Sequence, residues 1–121
     1  MCFERASRLA QPNFVHRDVR WPNLVCNGRA DWFLIDFALA DVCGAQLPAN
    51  SINMDFLPLE LHSEGSVYTT SEDMWQVGKL MTDCGLLLST SASLLAATLT
   101  GVRSERLTAA GALNSDWMAE L

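Results

Sequence analysis

The sequence predicts a single domain, mainly α with one small β-hairpin, and three observations carry that prediction. Met74, Val77, Met81, Cys84 and Leu88 recur at helical spacing. Asn27-Gly28 stands between two short apolar runs, Leu24-Val25-Cys26 and Trp32-Phe33-Leu34-Ile35, which is a strong short-range hairpin signal. The chain has 121 residues, 50% apolar and 18% charged, which is a globular composition of one-domain size. A chain this small hides only about two-thirds of its unfolded surface, so some apolar area is expected to need a partner.

Taken in order, Phe3 to Ala10 reads as the end of a helix, broken at Pro12-Asn13. Phe14 and Val15 lead into a loop, His16 to Asn23, and then into the hairpin. Residues 37 to 67 keep no period and carry Gly44, Pro48, Pro58 and Gly65, so they read as a long irregular segment. Thr70-Ser71-Glu72-Asp73 offers caps for the helix that follows, and Trp75 and Leu80 widen its stripe, so burial on most sides is expected. Ser91 can cap a further helix to Thr100, closed by Gly101, and Thr108 can cap a short last one. The Trp and Met residues read as core.

A net charge of −6 and the lack of any Lys/Arg cluster argue against nucleic acid and anionic membranes as partners. Residues 84 to 102 are uncharged and long enough to raise the question of a membrane span, but six Ser/Thr and two Gly read as a helix break and cap. The N-terminus carries Glu4, Arg5 and Arg8 where an export signal would need an apolar core. Cys2, Cys26, Cys43 and Cys84 have no metal-type spacing and read as free thiols. An intracellular location is the expectation.

The loop before the hairpin carries the chemistry. Asn23 lies six residues before Arg29, the middle of the hairpin loop, and Asp36 seven after it, so both fall near the hairpin's open end. An amide oxygen and a carboxylate placed side by side can share a hard cation such as Mg²⁺.

His16-Arg17-Asp18, then Asn23, then Ile35-Asp36-Phe37 resembles the catalytic loop and metal-binding motif of the protein kinases, in wording and in spacing. Leu57-Pro58-Leu59-Glu60 sits where that family has A-P-E. Glu72-Asp73-Met74-Trp75-Gln76-Val77-Gly78 looks like the D-x-W-x-x-G start of its central helix, and Arg106-Leu107-Thr108-Ala109 with Asp116-Trp117 is similar to its closing R-P-T-A and P-W. The likeness runs from residue 14 to 117 and looks most like divergent kinase-like proteins of fungi.

The resemblance implies a protein-kinase-like large lobe, α+β in class, with the N-terminal lobe absent. One partial domain would fill residues 1–121, with a catalytic loop at 14–23, a hairpin at 24–36, an activation-like segment at 36–60 and a helical part at 69–121. It implies transfer of the ATP γ-phosphate to protein Ser/Thr. Asp18 would take the proton of the attacking hydroxyl, Arg20 would replace the lysine that touches the transferred phosphate, and Asn23 and Asp36 would hold Mg²⁺. Structural roles fall to His16 and Phe37, to Asp73 as anchor of the catalytic loop, and to a Glu60–Arg106 pair. Arg17 could receive a phosphate on the activation segment, where Ser51 is the one hydroxyl residue between Asp36 and Glu60. His62, Asp31, Arg29 and Asp41 read as ordinary surface groups.

Some of the pattern departs from the family. No G-x-G-x-x-G occurs, and Lys79, the only lysine, falls in the central helix. Ala38 replaces the glycine of D-F-G, at roughly 1 kcal/mol if that site needs positive φ. The interval from Asp73 to Arg106 is short, leaving little room for a helix that kinases use in docking substrates. An isolated lobe is expected to have little activity, because positioning provides most of the rate in phosphoryl transfer. Two alternatives stand beside it. One is a non-catalytic module that binds a small lobe or partner protein on its apolar face; the other is a small-molecule phosphotransferase of the aminoglycoside or choline type.

Overall fold

A computed structural model describes residues 13–48, 51–63, 65–85 and 89–121. The helix end expected at Phe3 to Ala10, together with Cys2 and Leu88, lies outside the described residues. Helices outweigh strands, which occur in two separate two-stranded sheets. Strand β2 (Leu24–Cys26) pairs antiparallel with β3 (Trp32–Leu34) in the register Leu24↔Leu34, Val25↔Phe33 and Cys26↔Trp32. The second ladder has no signal in the sequence: β1 (Phe14–Val15) pairs with β4 (Asp41–Val42), inside the segment read as irregular.

The hairpin is present, but its turn differs from a tight Asn-Gly turn. The Asn27 side-chain oxygen accepts from the amides of Arg29 at 2.8 Å and Asp31 at 3.1 Å, and the positive φ falls at Ala30 (62°). Asn27 acts here through its side chain, a local bond that competes with the two-residue turn.

Helix α1 (Thr70–Asp83) packs on α2 (Thr90–Thr100), and two short helices follow, α3 (Ala109–Leu113) and α4 (Asp116–Glu120). Both long helices start from caps other than those expected. The α1 cap is Thr69, whose hydroxyl accepts from Ser71 N at 3.2 Å and donates to Glu72 Oε2 at 2.7 Å. Ser89, not Ser91, caps α2 by accepting from Ala92 N at 3.2 Å. Thr108 caps α3 as expected; α4 is an addition.

The α1/α2 contact builds one core. Met81, Ala92, Leu95, Ala96 and Leu99 are buried, with Met74, Val77, Leu107, Ala112 and Trp117 packed around them. Gly78 marks the crossing: a Cβ there would lie 2.7 Å from Leu99 Cβ. A second core gathers Val15, Leu57, Leu61 and Tyr68 under the irregular segment. The other buried positions of α1 include the polar Glu72 and Gln76, so its second covered side is hydrogen-bonded rather than oily. Not all large apolar residues are core: Trp21, Trp32 and Met54 are exposed, the two tryptophans stacking on each other at 5.7 Å. Among the described residues no helix is long and apolar enough to cross a membrane.

Candidate functional site

The site is a loop hung on the polar side of α1. Asp73 and Gln76 stand three residues apart, which puts them on one helix face. The Asp73 carboxylate accepts from His16 N at 2.7 Å, from Arg17 N at 2.9 Å and from the Tyr68 hydroxyl at 2.9 Å. Gln76 accepts from Val19 N at 2.8 Å and donates to the carbonyls of Arg17 and Phe56, each at 3.0 Å. A loop whose own amides cannot pair with a strand is satisfied from the side. Burial, followed by the Asp73 carboxylate, pushes the Tyr68 phenol well above its ordinary value and keeps it a proton donor.

The side chains at the loop's tip are set by short bonds. The His16 Nδ1 accepts from Asp18 N at 3.2 Å, which leaves Nε2 to carry the proton and donate to Ile35 O at 3.0 Å. The Phe37 ring meets His16 edge-on at 4.9 Å. The turn Trp21–Asn23, with Pro22 inside it, folds Asn23 back over Asp18. Asn23 Nδ2 then donates to Asp18 O at 2.8 Å and to Asp18 Oδ2 at 2.7 Å, while Arg20 Nε lies 2.7 Å from Asp18 Oδ1. The spacing of five thus has a local cause.

The hairpin brings the remaining acid to the same place. Ile35 N donates to Asn23 O at 2.8 Å, so Asp36 begins where Asn23 ends. Asp36 is exposed, at φ 63°, and its Oδ1 accepts from Ala38 N at 3.2 Å. Within Asp36-Phe37-Ala38 the position at positive φ is therefore Asp36, and Arg17 in the loop shares that conformation at φ 72°. Ala38 is not at positive φ, and the cost expected for losing a glycine there does not arise.

Asn23 is buried, both protons of its amide are committed to Asp18, and no donor among the described residues reaches its Oδ1. In donor chemistry that oxygen and the Asp36 carboxylate are hard ligands of the kind Mg²⁺ prefers. Among the described residues no three His, Cys, Asp or Glu side chains cluster as a metal site, so the remaining ligands would be water or phosphate oxygens.

The expected Glu60–Arg106 pair is in place, whereas Arg17, Asp41 and His62 make contacts other than those expected. Arg106 Nη1 lies 2.7 Å from Glu60 Oε1, and the Arg106 guanidinium also donates to Ser71 O and Gly101 O. Arg17 is buried, its guanidinium donating to Ala45 O at 3.3 Å and Gln46 O at 3.4 Å. Asp41 is not an idle surface group, since its carboxylate is 3.7 Å from Arg17 Nη1. His62 likewise bonds the carbonyls of Met54 and Leu57.

The sequence assigns no bonding role to Gln76, Tyr68 or the Arg103–Glu72 pair. The usable signal was Gln76, three residues after Asp73 and so on the same helix face.

The fold and this site define a protein-kinase-like fold. No protein-family model matches the chain. It is similar to ROP2 from Toxoplasma gondii, described as a virulence factor with a protein-kinase fold and no enzymatic activity, at TM-score 0.73 and 20% identity over 88% of this chain and 37% of that one. In sequence it is 39% identical to Crinkler effector protein 8 of Phytophthora infestans over 60% of this chain and 12% of the relative. It is 29% identical to a putative mitogen-activated protein kinase 14C of Drosophila melanogaster over 57% of this chain and 19% of the relative. The chain spans less than a fifth of both curated relatives.

Proposed function

We propose that this chain is the large lobe of a protein-kinase-like phosphotransferase, acting inside the cell on protein Ser or Thr and poorly active by itself. The supporting observation is the Asp18 carboxylate, held on one oxygen by Arg20 and on the other by Asn23, whose Oδ1 meets no donor among the described residues. Asp18 accepts the proton of the attacking hydroxyl, and its fixed rotamer provides the orientation on which the rate depends. Arg20, partly exposed, presents its remaining donors to the phosphoryl oxygens. Asn23 and Asp36 would hold Mg²⁺, which would neutralise phosphate charge. The groups that cover a nucleotide in the kinases, a glycine-rich loop and a strand lysine, are not found in the sequence.

A second reading is favoured by a specific observation. Val25, Phe33, Ile35 and Phe37 are all exposed on and beside the hairpin, an apolar area suited to a small lobe or a partner protein. ROP2, of related fold, is described as inactive. The chain would then be a binding module.

Saturating Mg-ATP separates the two. A nucleotide site occupied at a hundred times Kd adds roughly 2.7 kcal/mol and raises the melting temperature. Asp36→Ala is expected to abolish that shift. No shift in the parent chain would leave the binding module standing. Phosphate transfer to a generic protein and not to aminoglycosides identifies the substrate class.

A further inference from the structure

Arg17 is a buried cation whose bonds are incomplete. Its side chain is 4% exposed, Nη2 donates to Ala45 O and Gln46 O at 3.3 and 3.4 Å, near the outer limit of hydrogen bonding, and Nε meets no acceptor among the described residues. The guanidinium also lies 5.7 Å from the centre of the Tyr68 ring. A charge taken out of water on those terms calls for a counter-charge close by.

Asp41 provides it. Its Oδ2 lies 3.7 Å from Arg17 Nη1, and its Oδ1 accepts from Val42 N at 2.7 Å. The β1–β4 ladder causes this placement, because it sets Asp41 opposite Val15, two residues before Arg17. The chain then turns at Gly44, whose φ of 92° favours glycine, and there Gly44 N donates to Tyr68 O at 2.7 Å while Ala45 O accepts from Tyr68 N at 3.1 Å. Arg17 thereby joins residues 41–46 to Tyr68, with its negative partner drawn from the same segment.

The Asp41 side chain is 49% exposed, so an anion coming from solvent would approach Arg17 on the side that this carboxylate holds. A phosphate there would meet a like charge. Ser51, the one hydroxyl residue between Asp36 and Glu60, is itself turned to Pro48 O at 2.7 Å. We propose that Asp41 is a built-in counter-ion for Arg17, which holds residues 41–46 in place without phosphorylation and keeps a latent oxyanion site closed. The inference concerns this segment alone and stands under either reading of Asp18.

The test removes the carboxylate and offers an anion in its place. The whole 121-residue chain, as parent, Asp41→Ala and Asp41→Asn, is melted in inorganic phosphate and in chloride at matched ionic strength, without nucleotide, so the Mg-ATP result has no bearing on the outcome. Phosphate stabilises proteins generally by exclusion from their surface, and the quantity read is therefore each variant's gain beyond that of the parent. Asp41→Ala is expected to melt about 3 °C lower than the parent in chloride and to recover most of that loss in phosphate, saturably, because an anion bound only to the folded chain adds stability. Asp41→Asn, which keeps the shape and the bond to Val42 N without the charge, is expected to recover in the same way. Broadening of the ³¹P resonance of phosphate by both variants and not by the parent reads the same site directly. A loss that is equal in both salts, as a purely structural role for Asp41 would give, overturns the proposal. So does a parent that binds phosphate as strongly as its variants.

Discussion

Arg106 shows how one side chain closes a distance of 46 residues. Its guanidinium is fully buried and bonded to Glu60 at 2.7 Å, to the Ser71 backbone at 3.1 Å and to Gly101 O at 2.7 Å. Truncation would strand Glu60, three-quarters covered, and two carbonyls. Breaking one member of a buried pair costs several kcal/mol, so Arg106→Ala is expected to lose about 3 kcal/mol or more. Thermal melts that match the parent would remove that role. Asp18, Asn23, Asp36, Glu60, Asp73 and Arg106 were legible in the sequence because their motifs resemble those of the protein kinases, with close spacing tying together only Asp18, Asn23 and Asp36. Gln76, Tyr68 and Asp41 were not, since an amide, a phenol and an exposed-looking acid carry no spacing of their own. The partners of Gln76 and Asp41 come from chain 20 to 60 residues away, and that of Tyr68 from the first turn of the following helix.

At the scale of elements, α1 has two duties, and Gly78 serves one of them. An added methyl would meet Leu99 Cβ at 2.7 Å and Thr100 Cγ2 at 2.9 Å, where neither can retreat freely. Alanine gains up to about 1 kcal/mol in helix propensity, but overpacking a tight crossing costs roughly 1–3 kcal/mol. Gly78→Ala is therefore expected to lower the urea midpoint with m unchanged, the sign opposite to that of an exposed helical glycine. The apolar stripe of α1 could be read from period alone, and its other covered side could not, because polar residues there look like solvated ones. The caps slipped by one or two residues for a similar reason. Thr69-Thr70-Ser71 and Ser89-Thr90-Ser91 each offer several hydroxyls, and packing chooses among them.

At the scale of the molecule, the buried apolar residues fall into two cores, and only the first includes side chains of α1. Of the first, the α1 side, Met74, Val77 and Met81, was legible as a helical stripe, and the α2 side was not. The second, from Val15, Leu57, Leu61 and Tyr68, was not, because its members are scattered through segments without a period. Tyr68 gives that second core a pH signature. Its phenol is raised in the folded chain above the usual value near 10, so its contribution is fully present below about pH 10 and declines as pH rises beyond it. Melting curves across that range should fall more steeply for the parent than for Tyr68→Phe. The variant begins lower, having lost the bond to Asp73, and then runs flatter. Parallel curves would remove Tyr68 as the source.

The way α1 holds the loop also sets how the loop meets solvent protons. The amide hydrogens of His16, Arg17 and Val19 are donated to Asp73 and Gln76 side chains, not to a neighbouring strand. They can exchange with deuterium only when the helix releases them, so their protection should follow the opening of α1 itself. A segment without regular structure would then exchange as slowly as the middle of a helix.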